Sequence, residues 1–124
     1  MRFTDAVLRC LGQFATFSGR SGRHEFWWFA LFAAMAALGL MLAADEVPGL
    51  APLAQLLGLG LVPPLAAVTV RRLHDTGLTG PVALIALVPG VGTFALAVLL
   101  ARRGESHANR FGDDPRYVIW AIAV

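Results

Sequence analysis

The residues best suited to chemistry in this chain stand in the motif Arg71-Arg72-Leu73-His74-Asp75-Thr76-Gly77, directly after an uncharged stretch from Val47 to Val70. Its two guanidinium groups can pair with carboxylates or hold a phosphate through parallel N–H donors. His74 and Asp75 are of types that serve as general acid and base, but neighbours on a helix point about 100° apart. The motif therefore predicts pairing and binding by arginine rather than catalysis.

Two further polar patches, Gly19–Glu25 and Asn109–Pro115, also lie beside apolar segments. Charged groups at a membrane boundary are costly unless they are solvated or paired, so we expect a network that fastens the helix ends together. The expected pairs are Arg20 and Arg23 with Asp75 or Asp113, and Glu25 with Arg71 or Arg72. The competing prediction is a binding site for an anionic lipid headgroup.

The candidate residues for the network or the headgroup site are Arg20, Arg23, Glu25, Arg71, Arg72, His74, Asp75, Asn109, Arg110 and Asp113. The three histidines do not have metal-ligand spacing, and no cofactor motif is recognised, so we expect neither a metal nor a cofactor. No catalytic residue is assigned.

Composition indicates the class of protein that must position these groups. Hydrophobic residues make up 57% of the 124 residues and charged residues 15%, with a mean hydropathy of +0.68, whereas soluble domains carry roughly 25% charged residues. We therefore predict a single integral membrane domain over residues 1–124. The net charge of +2 and the lack of a basic run interleaved with aromatics exclude nucleic acid as a partner.

The predicted fold is all-α, a small polytopic helical membrane protein. An amphipathic helix over residues 1–17 is expected to lie at the membrane interface, or alternatively to pack on the protein's own helices. Residues 26–44 and 50–70 are predicted transmembrane helices, the second kinked or broken at Pro63-Pro64. Residues 82–101 form a third apolar segment, cut by Pro89-Gly90-Val91-Gly92, and residues 102–124 a polar tail with an apolar end, Tyr117–Val124, too short to span.

Local signals mark two helix ends near the charged motifs. Ser21 or Gly22 is predicted to cap a helix that begins near Arg23, which puts Glu25 in its first turn. Gly77 is predicted to end the helix that carries the arginine motif.

The distribution of arginine predicts a cytoplasmic amino terminus. Four arginines precede the first span and none lies between the first two spans. If residues 82–101 cross the membrane, four of the ten basic residues end up outside. If they turn back at the Pro-Gly break as a re-entrant hairpin, all ten stay inside, and we favour this alternative.

The three polar patches also carry a family resemblance. The pattern F-x-G-R-x-x-R-x-E-F-W (Phe17, Gly19, Arg20, Arg23, Glu25, Phe26, Trp27), then R-R-L-H-D-T-G, then N-R-F-G-x-D-P resembles the bacterial inner-membrane YhaH/YhaI family, a domain of unknown function numbered eight hundred and five. The resemblance runs from Phe17 to Pro115. It implies a small integral protein of the bacterial inner membrane whose biochemical role is not established. Family members often carry a tryptophan after the glycine that follows the motif, whereas Pro81 and Val82 follow Gly80 here.

Function is predicted at the level of class. We expect a non-enzymatic accessory or scaffold protein that contacts membrane lipids, and associates with its own copy or with another membrane protein. The alternatives are a transporter or channel subunit and an enzyme that acts on lipid headgroups. The absence of ionisable residues within the apolar segments weighs against transport.

Overall fold

The computed structural model describes residues 2–112, 114 and 115, and the regular secondary structure of this part is helical, as predicted. Within this part of the chain, five α-helices and two short 3₁₀-helices follow one another. They are α1 (Phe3–Gly12), α2 (Arg23–Glu46), a 3₁₀-helix (Pro48–Leu50), α3 (Ala51–Gly60), α4 (Val62–Asp75), a second 3₁₀-helix (Gly80–Leu87) and α5 (Val91–Ala101).

Two helical segments are long and apolar enough to cross a bilayer, as predicted. They are α2, with 24 residues, and the segment Pro48–Asp75, which comprises the first 3₁₀-helix, α3 and α4 and has 28 residues. At about 1.5 Å per residue both exceed the roughly 30 Å of the hydrocarbon core. Only 17% of the most apolar window in either segment is buried inside the protein. A helix in the core of a soluble protein would be mostly buried, so these faces are suited to lipid.

The second span is broken at Leu61, between α3 and α4. Pro63 and Pro64 fall in the first turn of α4, where a missing N–H donor costs no helical hydrogen bond. The prolines thus start a new helix instead of interrupting one, and the predicted break is confirmed.

The helix ends that carry the charged motifs also lie where predicted. α2 begins at Arg23 with Gly22 in the capping position, and no side chain caps it. α4 ends at Asp75, and Gly77 then adopts a φ of +82°. Gly77 donates its N–H to the carbonyl of His74, and Leu78 donates to that of Leu73, the pair of bonds of a Schellman motif. Ser21 does not serve as the predicted cap.

The third apolar segment folds back on itself instead of forming one straight helix. The 3₁₀-helix Gly80–Leu87 and α5 are each about 16 Å long, and they pack against each other and against α4. The reversal lies at Val88–Gly90, where Gly90 has a φ of +77°. The backbone of this segment therefore forms a hairpin.

The amino-terminal helix is shorter than predicted. α1 ends at Gly12, so the predicted extension to Phe17 is wrong; glycine costs about 1 kcal/mol in a helix interior. Its buried residues include Val7 and Cys10, and α1 packs on α2 and α4. This part of its apolar face therefore packs on the protein's own helices, while Phe14 and Phe17 remain exposed.

Close packing is concentrated at one end of the helices. The main core cluster contains Cys10, Phe26, Phe29, Ala33, Val68, Leu73, Leu96 and Leu100. At the other end, α3 contains no buried residue, and the side chain of Leu59 is 67% exposed. The packed end carries the charged motifs. The predicted apolar end Tyr117–Val124 lies outside the described residues.

We predict that the hairpin depends on Gly92. A Cβ at this position would overlap the backbone carbonyl of Ile85 and the side chain of Val88. Gly92→Ala should therefore lower the free energy of unfolding by about 1–3 kcal/mol, measured by titrating the detergent-solubilised protein with SDS. The control Gly39→Ala adds the same methyl group in open space on α2 and should leave stability unchanged or slightly higher. Equal effects of the two substitutions would contradict this role for Gly92.

Candidate functional site: buried arginine–carboxylate clusters

Three parts of the chain that are far apart in sequence meet at the packed end of the helices. The start of α2, the end of α4 and the segment that follows α5 supply these parts. The backbone N–H of Ser21 donates to the carbonyl of Arg71 at 3.0 Å, and that of Glu105 donates to the carbonyl of Asp75 at 2.8 Å. These bonds hold two irregular segments against the end of α4.

The first buried group, which we call the Asp75 cluster, consists of Asp75, Arg20 and Arg72. Arg20 donates from Nε and Nη2 to Oδ1 of Asp75, at 3.1 and 2.9 Å. Arg72 donates from Nη1 to the other oxygen, Oδ2. The three side chains are exposed by 7% or less. Both carboxylate oxygens are therefore occupied by guanidinium groups in a buried setting.

Arg20 also binds the polar segment that follows α5. Its Nη1 donates to the carbonyls of His107 at 2.7 Å and Gly112 at 3.2 Å, and its Nη2 donates to that of Glu105 at 2.6 Å. A Cβ at Gly104 would overlap the carboxylate of Asp75. The segment can approach Asp75 this closely because residue 104 has no side chain.

Arg72 holds the end of α5. Its Nε donates to the carbonyl of Leu100 at 2.9 Å, and its Nη2 donates to that of Arg102. The last carbonyls of a helix have no partner within the helix, and a cation there also interacts favourably with the helix dipole. Arg72 therefore fixes the end of α5 beside the end of α4.

The second buried group, the Glu25 cluster, consists of Glu25, Arg71 and Arg9. Arg71 Nη1 lies 3.0 Å from Glu25 Oε1 and also donates to the side chain of Gln13. Arg9 Nε lies 3.6 Å from Glu25 Oε2, and its side chain is 33% exposed. Cys10 Sγ is 3.6 Å from Glu25 Oε1. Burial, with a smaller contribution from the charge on Glu25, raises the pKa of the Cys10 thiol to about 12, so the thiol is neutral at physiological pH.

His74 is held separately from Asp75. Its Nδ1 lies 2.9 Å from the carbonyl of Gly19, and its ring stacks on that of Phe111 at 3.9 Å. Because a carbonyl only accepts hydrogen bonds, Nδ1 carries the proton in this contact. Asn109 donates to the carbonyl of His74 at 3.0 Å. Asp75 faces its two arginines instead, so the neighbouring residues do not form an acid–base pair.

Some candidate residues lie outside the two clusters. Arg23 and Arg110 are exposed, and Arg110 stacks over the ring of Phe111 at 4.8 Å. Among the described residues Arg23 contacts neither carboxylate, because the first turn of α2 directs it to the surface while Glu25 is buried. Asp113 lies outside the described residues. The pairs Arg20–Asp75 and Arg71–Glu25 are among those expected from the sequence.

Several participants were not singled out from the sequence. Arg9, Cys10 and Gln13 belong to α1 or its end, and they reach the Glu25 cluster because α1 packs on α2 and α4. A polar residue on an amphipathic helix looks like a solvated one, so no local signal distinguished them. Gly104 was missed because nothing in the sequence around it indicates that its backbone lies against the carboxylate of Asp75.

The chemistry of these clusters is the binding and neutralisation of charge. Arg20 and Arg72 direct all their nitrogens to acceptors within the protein. Within the part of the chain that the structure describes, no group of three His, Cys, Asp or Glu side chains is arranged to hold a metal ion. The arrangement therefore ties chain segments together, and any free binding capacity must lie at Arg71 or at the exposed rim.

Comparisons with known proteins agree with this architecture. The model of the family described as "Protein of unknown function (DUF805)" matches residues 14–113. Inner membrane protein YhaI of Escherichia coli K12 is 37% identical over 114 residues, covering 89% of this chain and 94% of that protein. Inner membrane protein YhaH of the same strain is 33% identical over 90% of this chain and 97% of that protein. No solved structure gives a significant match.

We predict that Arg20 is required for stability. Arg20→Met removes a buried charge, leaves Asp75 with one guanidinium partner and takes the Arg20 donors away from the carbonyls of Glu105, His107 and Gly112. Breaking a buried ion pair costs about 3–5 kcal/mol, so the free energy of unfolding in SDS titration should fall by that amount. The matched control is Arg23→Met, an arginine at an exposed position nearby, which should change stability by less than about 0.5 kcal/mol. A small effect of Arg20→Met would contradict the structural importance of the cluster.

Proposed function

The chain belongs to the DUF805 family, and on that premise we propose that this inner-membrane protein acts as a non-enzymatic accessory or scaffold protein. The buried clusters would hold the helix ends in a fixed arrangement. The exposed arginines at the same end would contact anionic lipid headgroups. A membrane protein, either a second copy or another chain, would pack on the exposed apolar faces.

The observation that carries this proposal is the use of the buried charges within the protein. Arg20, Arg72 and Asp75 bind one another and the backbone of the segment after α5. A catalytic carboxylate needs access to substrate, whereas both oxygens of Asp75 are buried and occupied. These charges have a mechanical role, since they join segments of the chain that are far apart in sequence.

The rim of the packed end supports contact with lipid headgroups. Its exposed arginines, among the described residues, include Arg23, Arg102, Arg103 and Arg110. Trp27 and Trp28 are exposed in the first turns of α2, and tryptophan is enriched at the level of the membrane interface. Each basic residue near an anionic leaflet contributes about 1 kcal/mol of attraction.

The hairpin supports the placement of all these arginines on one side of the membrane. The segment after α4 leaves the packed end, and α5 returns to it, where Arg72 binds its last carbonyls. If this end faces the cytoplasm, the described arginines before α2, at the end of α4 and after α5 all satisfy the positive-inside rule. The proposal is therefore a cytoplasmic amino terminus with a re-entrant third segment.

We predict that the carboxyl terminus is cytoplasmic. A fluorescent reporter fused after Val124 should fold and fluoresce, and alkaline phosphatase at the same position should be inactive, because the hairpin brings the chain back to its starting side. The control is alkaline phosphatase fused after Gly49, between the two spans, which should be active. An active phosphatase at Val124 would contradict the proposed placement of the hairpin.

We also predict that the protein associates in the membrane. Its exposed apolar helix faces and small residues favour close helix contact, so cross-linking in intact membranes should yield a species larger than one chain. Leu59→Trp on α3 and Phe94→Ala on α5 change exposed residues on two different helices, and the helix in contact is the one whose substitution reduces the yield. A strictly monomeric protein without any cross-linked partner would contradict the scaffold role.

A further inference from the structure

Arg71 differs from the other two buried arginines in having unused donors. Its side chain is 2% exposed, and Nη1 makes both of its hydrogen bonds, to Glu25 and Gln13. Nε and Nη2 are buried without a hydrogen-bond partner among the described residues. Arg20 and Arg72, by contrast, donate from all three of their nitrogens. A buried charged group with unmet donors is costly, so an acceptor is expected at this edge.

The unused donors are arranged as a fork. The N–H bonds of Nε and Nη2 point in the same direction on one side of the planar guanidinium group. This edge matches two oxygens of one phosphate or carboxylate group, and it gives two parallel, charge-assisted hydrogen bonds. The acceptor that completes Arg71 is therefore a group with at least two oxygens.

The charge of the surroundings favours an anion. The Glu25 cluster contains two guanidinium groups and one carboxylate, because Arg9 and Arg71 share Glu25. The adjacent Cys10 thiol is neutral and supplies no second negative charge. The cluster thus retains one unbalanced positive charge, which a bound anion would neutralise.

The location favours phosphate. The cluster joins α1, α2 and α4 close to the exposed Trp27 and Trp28 of α2, the depth at which headgroups lie. Arg9 is one third exposed, and Gln13 is half-buried, so the rim reaches the surface on the α1 side. Because Nε and Nη2 of Arg71 are themselves buried, an oxyanion reaches them only if neighbouring side chains move.

We propose that the Nε/Nη2 edge of Arg71, in the Glu25 cluster, binds a phosphate group. The group belongs to an anionic lipid headgroup or to free phosphate, which share this chemistry. This inference rests on the proposed function, because the site lies at the level of the headgroups only if the packed end of the helices lies there. The proposed site at Arg71 is a single buried position, separate from the exposed arginines of the rim.

The first test uses the wild-type chain, delipidated in an uncharged detergent. Native mass spectrometry is recorded with phosphatidylglycerol and, separately, with inorganic phosphate. Saturable binding of one molecule per chain is expected, and the probe that binds identifies the source of the phosphate. Lack of saturable binding of both probes would overturn the proposal.

The second test assigns the binding to Arg71. Arg71→Lys retains the charge but replaces the fork with a single ammonium group, so binding should weaken at least about 10-fold. The control Arg2→Lys makes the same exchange at the residue before α1, whose side chain is 89% exposed, and binding should not change. Equal loss in both variants would show unspecific attraction and overturn the site.

A third measurement needs no variant and covers the case in which Arg71→Lys does not fold. In wild-type protein with ¹⁵N-labelled arginine, titration with the bound probe should shift mainly one buried Nε–H resonance. Shifts confined to exposed arginines would overturn the site.

If the reporter at Val124 shows a periplasmic end while phosphate still binds, the proposed placement fails and the Arg71 site stands. If the reporter agrees and phosphate does not bind, only the Arg71 site fails.

Discussion

The structure depends on one constraint: a charge buried next to a membrane must find partners within the protein. Removing an ion from water costs several kcal/mol even after relaxation. Asp75 meets this constraint through Arg20 and Arg72, and the remaining guanidinium donors bind backbone carbonyls from the segment after α5. These bonds connect positions up to 92 residues apart. Three parts of the chain converge because each supplies a different group. The segment before α2 supplies the guanidinium group of Arg20, the end of α4 supplies Arg72 and Asp75, and the segment after α5 supplies backbone carbonyls.

The shape of the protein follows from this convergence. Since Arg72 binds the last carbonyls of α5, that helix must end beside the end of α4. The third apolar segment then has to leave and return on the same side, within two arms of about 16 Å. Dense packing collects at the charged end, whereas the other end presents apolar side chains that lipid or another membrane protein can cover. A protein that pairs its buried charges in this way is suited to hold helices in a fixed arrangement. Arg71 is the exception, because two of its buried nitrogens have no hydrogen-bond partner among the described residues.

Much of the local structure could be predicted because its signals are local. The start of α2 at Arg23, the break before Pro63-Pro64 and the Schellman motif at Gly77 each follow from backbone preferences within a few residues. The prediction failed at the end of α1 and at Arg23. α1 ends at Gly12 and not at Phe17, and Arg23 is exposed although it belongs to the same charged patch as Arg20. A spacing of three residues on an irregular segment does not specify a direction.

The sequence by itself determined the membrane class, the two spans and the residue types that must be neutralised, because hydropathy and helix propensity act over short stretches. Only the tertiary structure decided which arginine meets which acid, since both acids had several eligible partners. It also decided that the third apolar segment folds back on itself, since a straight helix and a hairpin have the same composition and the same length. The roles of Arg9, Gln13 and Gly104 were also decided only by the tertiary structure. They arise from the close approach of segments that are far apart in sequence, and packing across the whole chain sets that approach.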